Sequence, residues 1–207
     1  MILFAQYLLR IMSMKLSEIA GISSGRTFKN GIIESENPTH SVIQLRDFDK
    51  DEDQSPIKWK QLSKTDLSSS KVDNSLKVDD VLIVAKGPLK KAIYLGSVPQ
   101  NVVANQHFFI IKVKSDAPLS PLFLAYYLNC SDAQRWMLDN SGGSYQSTLS
   151  KKTLLELPIP NIGDEEQQLI VETADSVRTE IQLHLQLIKG REQEMDDVFN
   201  TLWKNLS

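Results

Sequence analysis

With 207 residues, 41% of them apolar, the chain can bury one ordinary core and carry an appended element. A lone cysteine, Cys130, excludes a disulfide framework and a cysteine-based zinc site, and fits a reducing, cytoplasmic compartment. The net charge of -3 disfavours a phosphate-bearing partner only as an average: residues 55–115 hold ten lysines against four aspartates (+6), and residues 164–207 hold four basic against ten acidic groups (-6).

That asymmetry predicts a basic working face on a globular part and an interaction segment elsewhere, with solvated surface lysines as the plain alternative. The opening MILFAQYLLRIM is apolar, but it is too short for a membrane span and lacks a basic flank and a small-residue cleavage site. It reads as an N-terminal helical extension over 1–14, or as an upstream start ahead of Met12 or Met14. KLSEIA at 15–20 predicts a short helical turn before the Gly- and Ser-rich GISSGRT, and SVIQLRDF at 41–48 alternates as a strand does. VDDVLIVAKGP at 78–88 reads as a buried strand closed by Gly87 and Pro88. AIYLGSV and QHFFIIKVK, at 92–98 and 106–114, are rich in β-branched and aromatic residues and read as further strands.

PLFLAYYLNCSDAQRWML at 121–138 carries apolar residues at helical spacing behind a proline suited to a first turn, and the polar loop NSGGSYQSTLS follows. In LPIPNIGDEEQQ, Pro158 and Pro160 hold Leu157 and Ile159 extended, so the regular structure of the domain is expected to end there in a strap. Gly163 allows a turn, Asp164 is placed as an N-cap, Glu165 and Glu166 suit the positive end of a helix dipole, and Gln167 completes a capping-box spacing. No proline interrupts residues 165–205, enough for a helix of roughly 60 Å that needs a partner. Ala174, Ile181, Ile188, Met195 and Leu202 occupy one heptad position, and Ile170, Val177, His184, Arg191 and Val198 the other, a coiled-coil seam with polar interruptions and a weak point at Gly190. Packing of that stripe on its own domain is the alternative. The fold class is α+β: a mostly-β domain with short helices over 15–160, followed by a long C-terminal coiled-coil helix over 161–207.

In order, LSEIAGISSGRT, VIQLRDFD, LKVDDVLIVAKG, PLFLAYYLN, LSKKTLLELPIPNIGDEEQQLIV and the long helix resemble one target recognition domain and its following conserved helix from a type I restriction-modification specificity (S) subunit, over residues 15–205. The resemblance implies a domain that reads one half of a split double-stranded DNA site, and a helix that acts as a ruler and docks the methyltransferase (M) subunits, with a restriction (R) subunit as a further partner in some systems. It implies a non-catalytic chain without a cofactor of its own, the partner methyltransferase holding S-adenosylmethionine for adenine methylation. Two departures stand out. Asp79 precedes Asp80 where the family often has Gly-Asp, and one domain with one helix is present where such subunits usually carry two of each. A half-size form can rebuild the two-lobed arrangement as an antiparallel homodimer about a twofold axis near position 185, through Val177, Ile181, His184, Ile188, Met195 and Leu202, with Arg178 facing Glu192 and Arg191 beside Glu180.

For DNA contacts the candidates are loop residues: Lys86, Lys90 and Lys91 around Gly87, and Tyr145 and Gln146 in the Gly142–Thr148 loop with Lys151 and Lys152 behind it. Arg26 and Arg46 are secondary candidates, with a local pairing of Arg46 to Asp47 or Asp49 as the alternative; Asn105 and Gln106 either read bases or cap the sheet. Enzyme chemistry finds little support. Asp49, Asp51 and Asp53 imitate a calcium loop, but Gln54 and Lys60 stand where glycine and glutamate are required. No phosphate-cradling glycine loop, dinucleotide fingerprint or nucleophile elbow is found, His40, His107 and His184 are scattered, and Cys130 reads as a small buried residue. Two functions remain: a DNA-recognition subunit delivering a partner methyltransferase, and a coiled-coil adaptor that binds protein without DNA.

Overall fold

The computed structural model describes residues 13–47, 57–68, 74–86, 90–142 and 148–206, and the chain divides into two compact units, Met1–Gln168 and Leu169–Ser207. In the first unit, β2 (Ala20–Ser24), β8 (Phe108–Val113), β5 (Val81–Val84) and β6 (Ala92–Tyr94) form an antiparallel sheet in that order. β4 (Ser63–Thr65), β3 (His40–Ile43) and β7 (Val102–Ala104) form a second sheet, in which β3 runs antiparallel to β4 and parallel to β7. β1 (Ser13–Lys15) and β9 (Pro158–Pro160) make a two-stranded ribbon. The helices are α1 (Leu16–Ile19), α2 (Pro121–Asn129), α3 (Ser131–Asp139), α4 (Lys151–Leu155) and α5 (Asp164–Leu206).

The continuous apolar run of β5 is explained by burial on both faces. Leu82 and Val84 join Ile93, Phe108 and Ile110 of their own sheet and Ile43, Val102 and Ala104 of the second sheet in one core cluster. Val81 and Ile83, one residue out of phase, point to the opposite face, where α2 packs with Phe123, Leu124 and Leu128 buried. Each such side chain removed from water contributes about 1.5–3 kcal/mol.

Several expectations are corrected. Residues 13 and 14, expected at the end of a helical extension, are strand, because Met14 pairs with Ile159 of the strap; residues 1–12 lie outside the described residues. Regular structure therefore does not end at the prolines. Pro158 and Pro160 flank Ile159, whose N–H remains available, so an extended two-proline segment still forms a short ribbon. GISSGRT is not simply loop: Ala20 to Ser24 pair with β8 from Val113 to Phe109, burying Ala20 and Ile22 and leaving Gly21, Ser23 and Ser24 exposed. Sheet pairing overrides the weak strand propensity of small residues. The strand expected over 41–48 stops at Ile43, because the Asp47 carboxylate accepts the Gln44 N–H at 2.7 Å and folds the chain into a 3-10 turn.

The single helix expected over 121–138 is two. Ser120 caps α2 by accepting the Phe123 N–H, and the chain turns extended at Cys130 (φ -68°, ψ 156°), whose carbonyl accepts the first bond of α3 from Gln134 at 3.0 Å. Cys130 is half-buried at that junction. Gln167 is not a capping-box partner. Its side chain, 4% exposed, accepts the Ser120 N–H at 3.0 Å and donates to Pro118 O at 2.7 Å and Ile162 O at 3.1 Å, so it joins the start of α5 to the loop before α2. The strap is held from the other side by Tyr127, whose hydroxyl donates to Pro158 O at 2.6 Å. Burial, then the neighbouring Cys130 and Asp132, push that phenol up to about 12.

The second unit continues α5, 43 residues in all or about 64 Å at the usual rise. Gly190 is accommodated without a break in the helix. Val177 and Ile181 are each 49% exposed, Ile188 54%, Met195 55% and Leu202 55%. Among the described residues no helix is long and apolar enough to cross a membrane.

Candidate nucleic-acid interface

The strand registers bring four chain segments side by side at one end of the paired sheets. The corner Ala104–Phe108, which leads from β7 into β8, is their centre. Asn105 N–H donates to Ile43 O at 3.0 Å, where β3 ends and turns toward Arg46. On another side Gly25 N–H donates to Phe108 O at 2.9 Å and Arg26 N–H to Ala104 O at 2.7 Å. Ala85, at the end of β5, donates to His107 O at 2.8 Å and accepts from Leu149 N–H at 2.9 Å, and the next residue, Lys86, bridges to Thr148. Thr148 in turn exchanges both backbone bonds with Gly142, at 3.0 and 3.2 Å.

Backbone proximity explains Gly25. A Cβ there would stand 2.0 Å from Asn105 O and 2.8 Å from Ala104 O, so only glycine lets the strand pass the corner this closely. Asn105 is buried, and its Oδ1 accepts the His107 N–H at 3.1 Å; Gln106 is exposed, and its Oε1 accepts the Phe28 N–H at 3.0 Å. Both amides shape the corner, in keeping with the sheet-capping alternative.

Of the cations expected to meet DNA, Arg26, Arg46, Lys86 and Lys91 leave the fold at this end. Lys86 is exposed, Arg26 and Lys91 are half-buried, and Lys91, one residue before β6, bonds back to β5 through its carbonyl. Arg46 keeps a 67% exposed side chain while donating to Ser63 Oγ at 2.7 Å, with Asp47 Oδ1 3.9 Å from its Nε. Lys151 and Lys152 are exposed in the first turn of α4, capped by Ser150, which accepts the Thr153 N–H at 3.0 Å. Tyr145, Gln146 and Gly87 lie outside the described residues, as do Asp49, Asp51 and Asp53.

Lys90 is the exception and is corrected. Its side chain is fully buried, with Nζ 3.4 Å from Ala85 O, and burial holds its ammonium below the usual lysine value. A group packed inside the domain offers no phosphate contact, so the cationic set at this end is Arg26, Arg46, Lys86 and Lys91, with Lys151 and Lys152 close behind in the chain. Asn129 and Gln134 escaped the sequence reading: both bond to the backbone beside Lys91. Asn129 closes PLFLAYYLN, a stretch singled out only for helix, so the signal was a polar residue where an apolar face ends. Among the described residues no three His, Cys, Asp or Glu side chains gather where they could hold a metal ion.

A mixed-sheet domain that collects cations at one end, joined in sequence to a long helix with an exposed apolar stripe, defines a class: a recognition domain with a helical interaction element. The chain belongs to the family described as the type I restriction modification DNA specificity domain, whose family model matches residues 10–191. In fold it is similar to the S subunit of a type I restriction-modification system from M. genitalium (11% identity, TM-score 0.52), covering 79% of this chain and 38% of that one. It is similar also to the HsdS subunit from Thermoanaerobacter tengcongensis (18% identity, TM-score 0.53), over 86% of this chain and 43% of that one. A third similar structure, solved for complex assembly and conformational transition of the type I R-M system, has 18% identity and a TM-score of 0.53 over 86% of this chain and 44% of that one. The chain thus spans about two-fifths of the length of these structures. No curated protein matches it.

Proposed function

We propose that this chain is the sequence-reading subunit of a type I restriction-modification system, a non-catalytic protein that directs a partner adenine methyltransferase to a split double-stranded DNA site. The observation that carries the reading is the convergence of Arg26, Arg46, Lys86 and Lys91 on the one sheet end built around Ala104–His107. Cations there position the phosphate backbone, and Tyr145 and Gln146, which lie between Gly142 and Thr148 in the chain, are the candidates for reading base edges. Lys151 and Lys152 add phosphate partners. S-adenosylmethionine belongs to the methyltransferase, and a restriction subunit joins where cleavage accompanies methylation.

The stripe on α5 supports self-association as an antiparallel homodimer through Val177, Ile181, His184, Ile188, Met195 and Leu202, all exposed in the single chain. Arg178 and Arg191 already hold partners on their own helix, Asp175 at 3.3 Å and Glu194 at 2.6 Å. Such exposed pairs are worth only about 0.3–0.5 kcal/mol, so they yield readily to Glu192 and Glu180 of a second copy.

Salt dependence tests the reading. Binding of the chain, assembled with its methyltransferase, to duplex DNA is expected to weaken steeply as salt rises, and Lys86→Ala combined with Lys91→Ala is expected to shallow the slope of log K against log salt by about one to two units. Affinity indifferent to salt, or to both lysines, would point instead to an adaptor that binds protein.

A further inference from the structure

The outer edge of β6 is closed by two side chains where a neighbouring strand would otherwise stand. β6 is the last strand of its sheet, and Lys91 spends its carbonyl inward on Val84 N–H at 3.0 Å, so Lys90 and Ala92 turn their N–H and C=O outward. Ala92 N–H donates to Asn129 Oδ1 at 2.9 Å, and Asn129 Nδ2 donates back to Ala92 O at 2.8 Å. Two residues earlier, Lys90 N–H donates to Gln134 Oε1 at 3.0 Å, and Gln134 Nε2 donates back to Lys90 O at 3.0 Å. The remaining amide protons are also used: Asn129 donates to Ala125 O at 3.0 Å and Gln134 to Leu128 O at 2.6 Å.

Two carboxamides thus imitate the backbone of a fifth strand. A carboxamide alone among side chains presents two N–H donors and a carbonyl acceptor on one planar group; a carboxylate lacks the donor and leucine lacks both. The break at Cys130 is what makes the arrangement possible, because it sets Asn129 at the end of one helix and Gln134 in the first turn and a half of the next, two strand residues apart on the target. The clamp holds the backbone on either side of Lys91, one of the four cations at the sheet end described above.

We propose that Asn129 and Gln134 are positioning residues for DNA recognition: they fix Lys90 and Ala92, and with them the Lys91 cation between, on the helical layer α2–α3. The assignment rests on the DNA-recognition reading above. Its test uses the full chain assembled with its methyltransferase, a duplex selected by that assembly from a randomised pool, and a scrambled duplex of equal length. Asn129→Leu and Gln134→Leu remove donor and acceptor together; Gln134→Glu keeps the acceptor and is the variant to use should the leucine variants fail to fold. Amide hydrogen exchange at Lys90 and Ala92 is expected to quicken at least about tenfold in the leucine variants with Leu82 and Ile110 unchanged, and the ratio of selected to scrambled affinity is expected to fall about tenfold in every variant. The salt slope on the scrambled duplex should stay as it is. An unchanged affinity ratio in folded variants overturns the positioning role, whatever the exchange shows. A parent assembly that prefers no duplex overturns the DNA-recognition reading itself, and this assignment falls with it.

Discussion

Asp79 sits at φ +70°, a left-handed conformation that costs most residues with a Cβ about 1 kcal/mol or more and that glycine adopts freely. The Gly-Asp pattern of the resembling family is therefore met in backbone shape with a different residue. The carboxylate offsets part of that cost, because Asp79 Oδ1 accepts the Tyr94 hydroxyl at 2.6 Å and the turn is closed by Asp79 N–H on Leu95 O at 3.0 Å. Asp79→Ala, which keeps the strain and loses the acceptor, is expected to cost about 1–2 kcal/mol in urea unfolding, and Asp79→Gly less. The same bond, with burial and the charge of Asp79 behind it, pushes the Tyr94 phenol up to about 12 from its ordinary 10.0. A raised folded-state value means that the folded form holds the proton longer than the unfolded chain does. The resulting stabilisation is present in full below pH 10 and is lost as pH rises toward 12. Tyrosinate absorbance should show two late-titrating phenols, Tyr94 and Tyr127, and Asp79→Asn should return only Tyr94 toward ordinary behaviour.

At the scale of elements, the cationic sheet end depends on how closely strands approach their neighbours. Gly25 carries β2 past the Asn105 carbonyl, and Gly25→Val is expected to destabilise by about 3 kcal/mol, since backbone rather than a pliable side chain must move. The loss should appear in thermal melts together with weaker DNA binding, because Arg26 follows directly. Gln167 does similar work where the strap enters α5. Gln167→Ala leaves the Ser120 N–H and the Pro118 carbonyl without this partner and should cost about 1–3 kcal/mol. β5 was legible beforehand because a short all-apolar run between turns has few other uses. β4 and β7 were not, since three residues each carry no period of their own and are strands only through the partners flanking β3. The division of residues 121–138 into α2 and α3 was hidden for a related reason: apolar spacing continues across Cys130, and only the backbone of β6 gives Asn129 and Gln134 their purpose.

For the whole molecule, the exposed stripe of α5 asks for a second surface. Ile181→Asp is expected to weaken the proposed homodimer at least about tenfold in sedimentation experiments, and Glu192→Arg by about 0.5–1 kcal/mol through loss of the proposed pairing with Arg178 of a second copy. A chain that is monomeric at every concentration, with or without these changes, would remove the twofold arrangement.

The order of elements, the sheet-rich middle, the strap and the long helix were set by composition and period along the chain, because proline geometry, apolar alternation and heptad spacing act over a few residues and need no distant partner. The placing of Arg26, Arg46, Lys86 and Lys91 at one end, the burial of Lys90 and the carboxamide edge on β6 were decided by tertiary structure alone. Each joins residues tens of positions apart, and which lysine is sealed inside and which is left at the surface depends on what packs over it, a quantity that charge and spacing in one dimension do not contain.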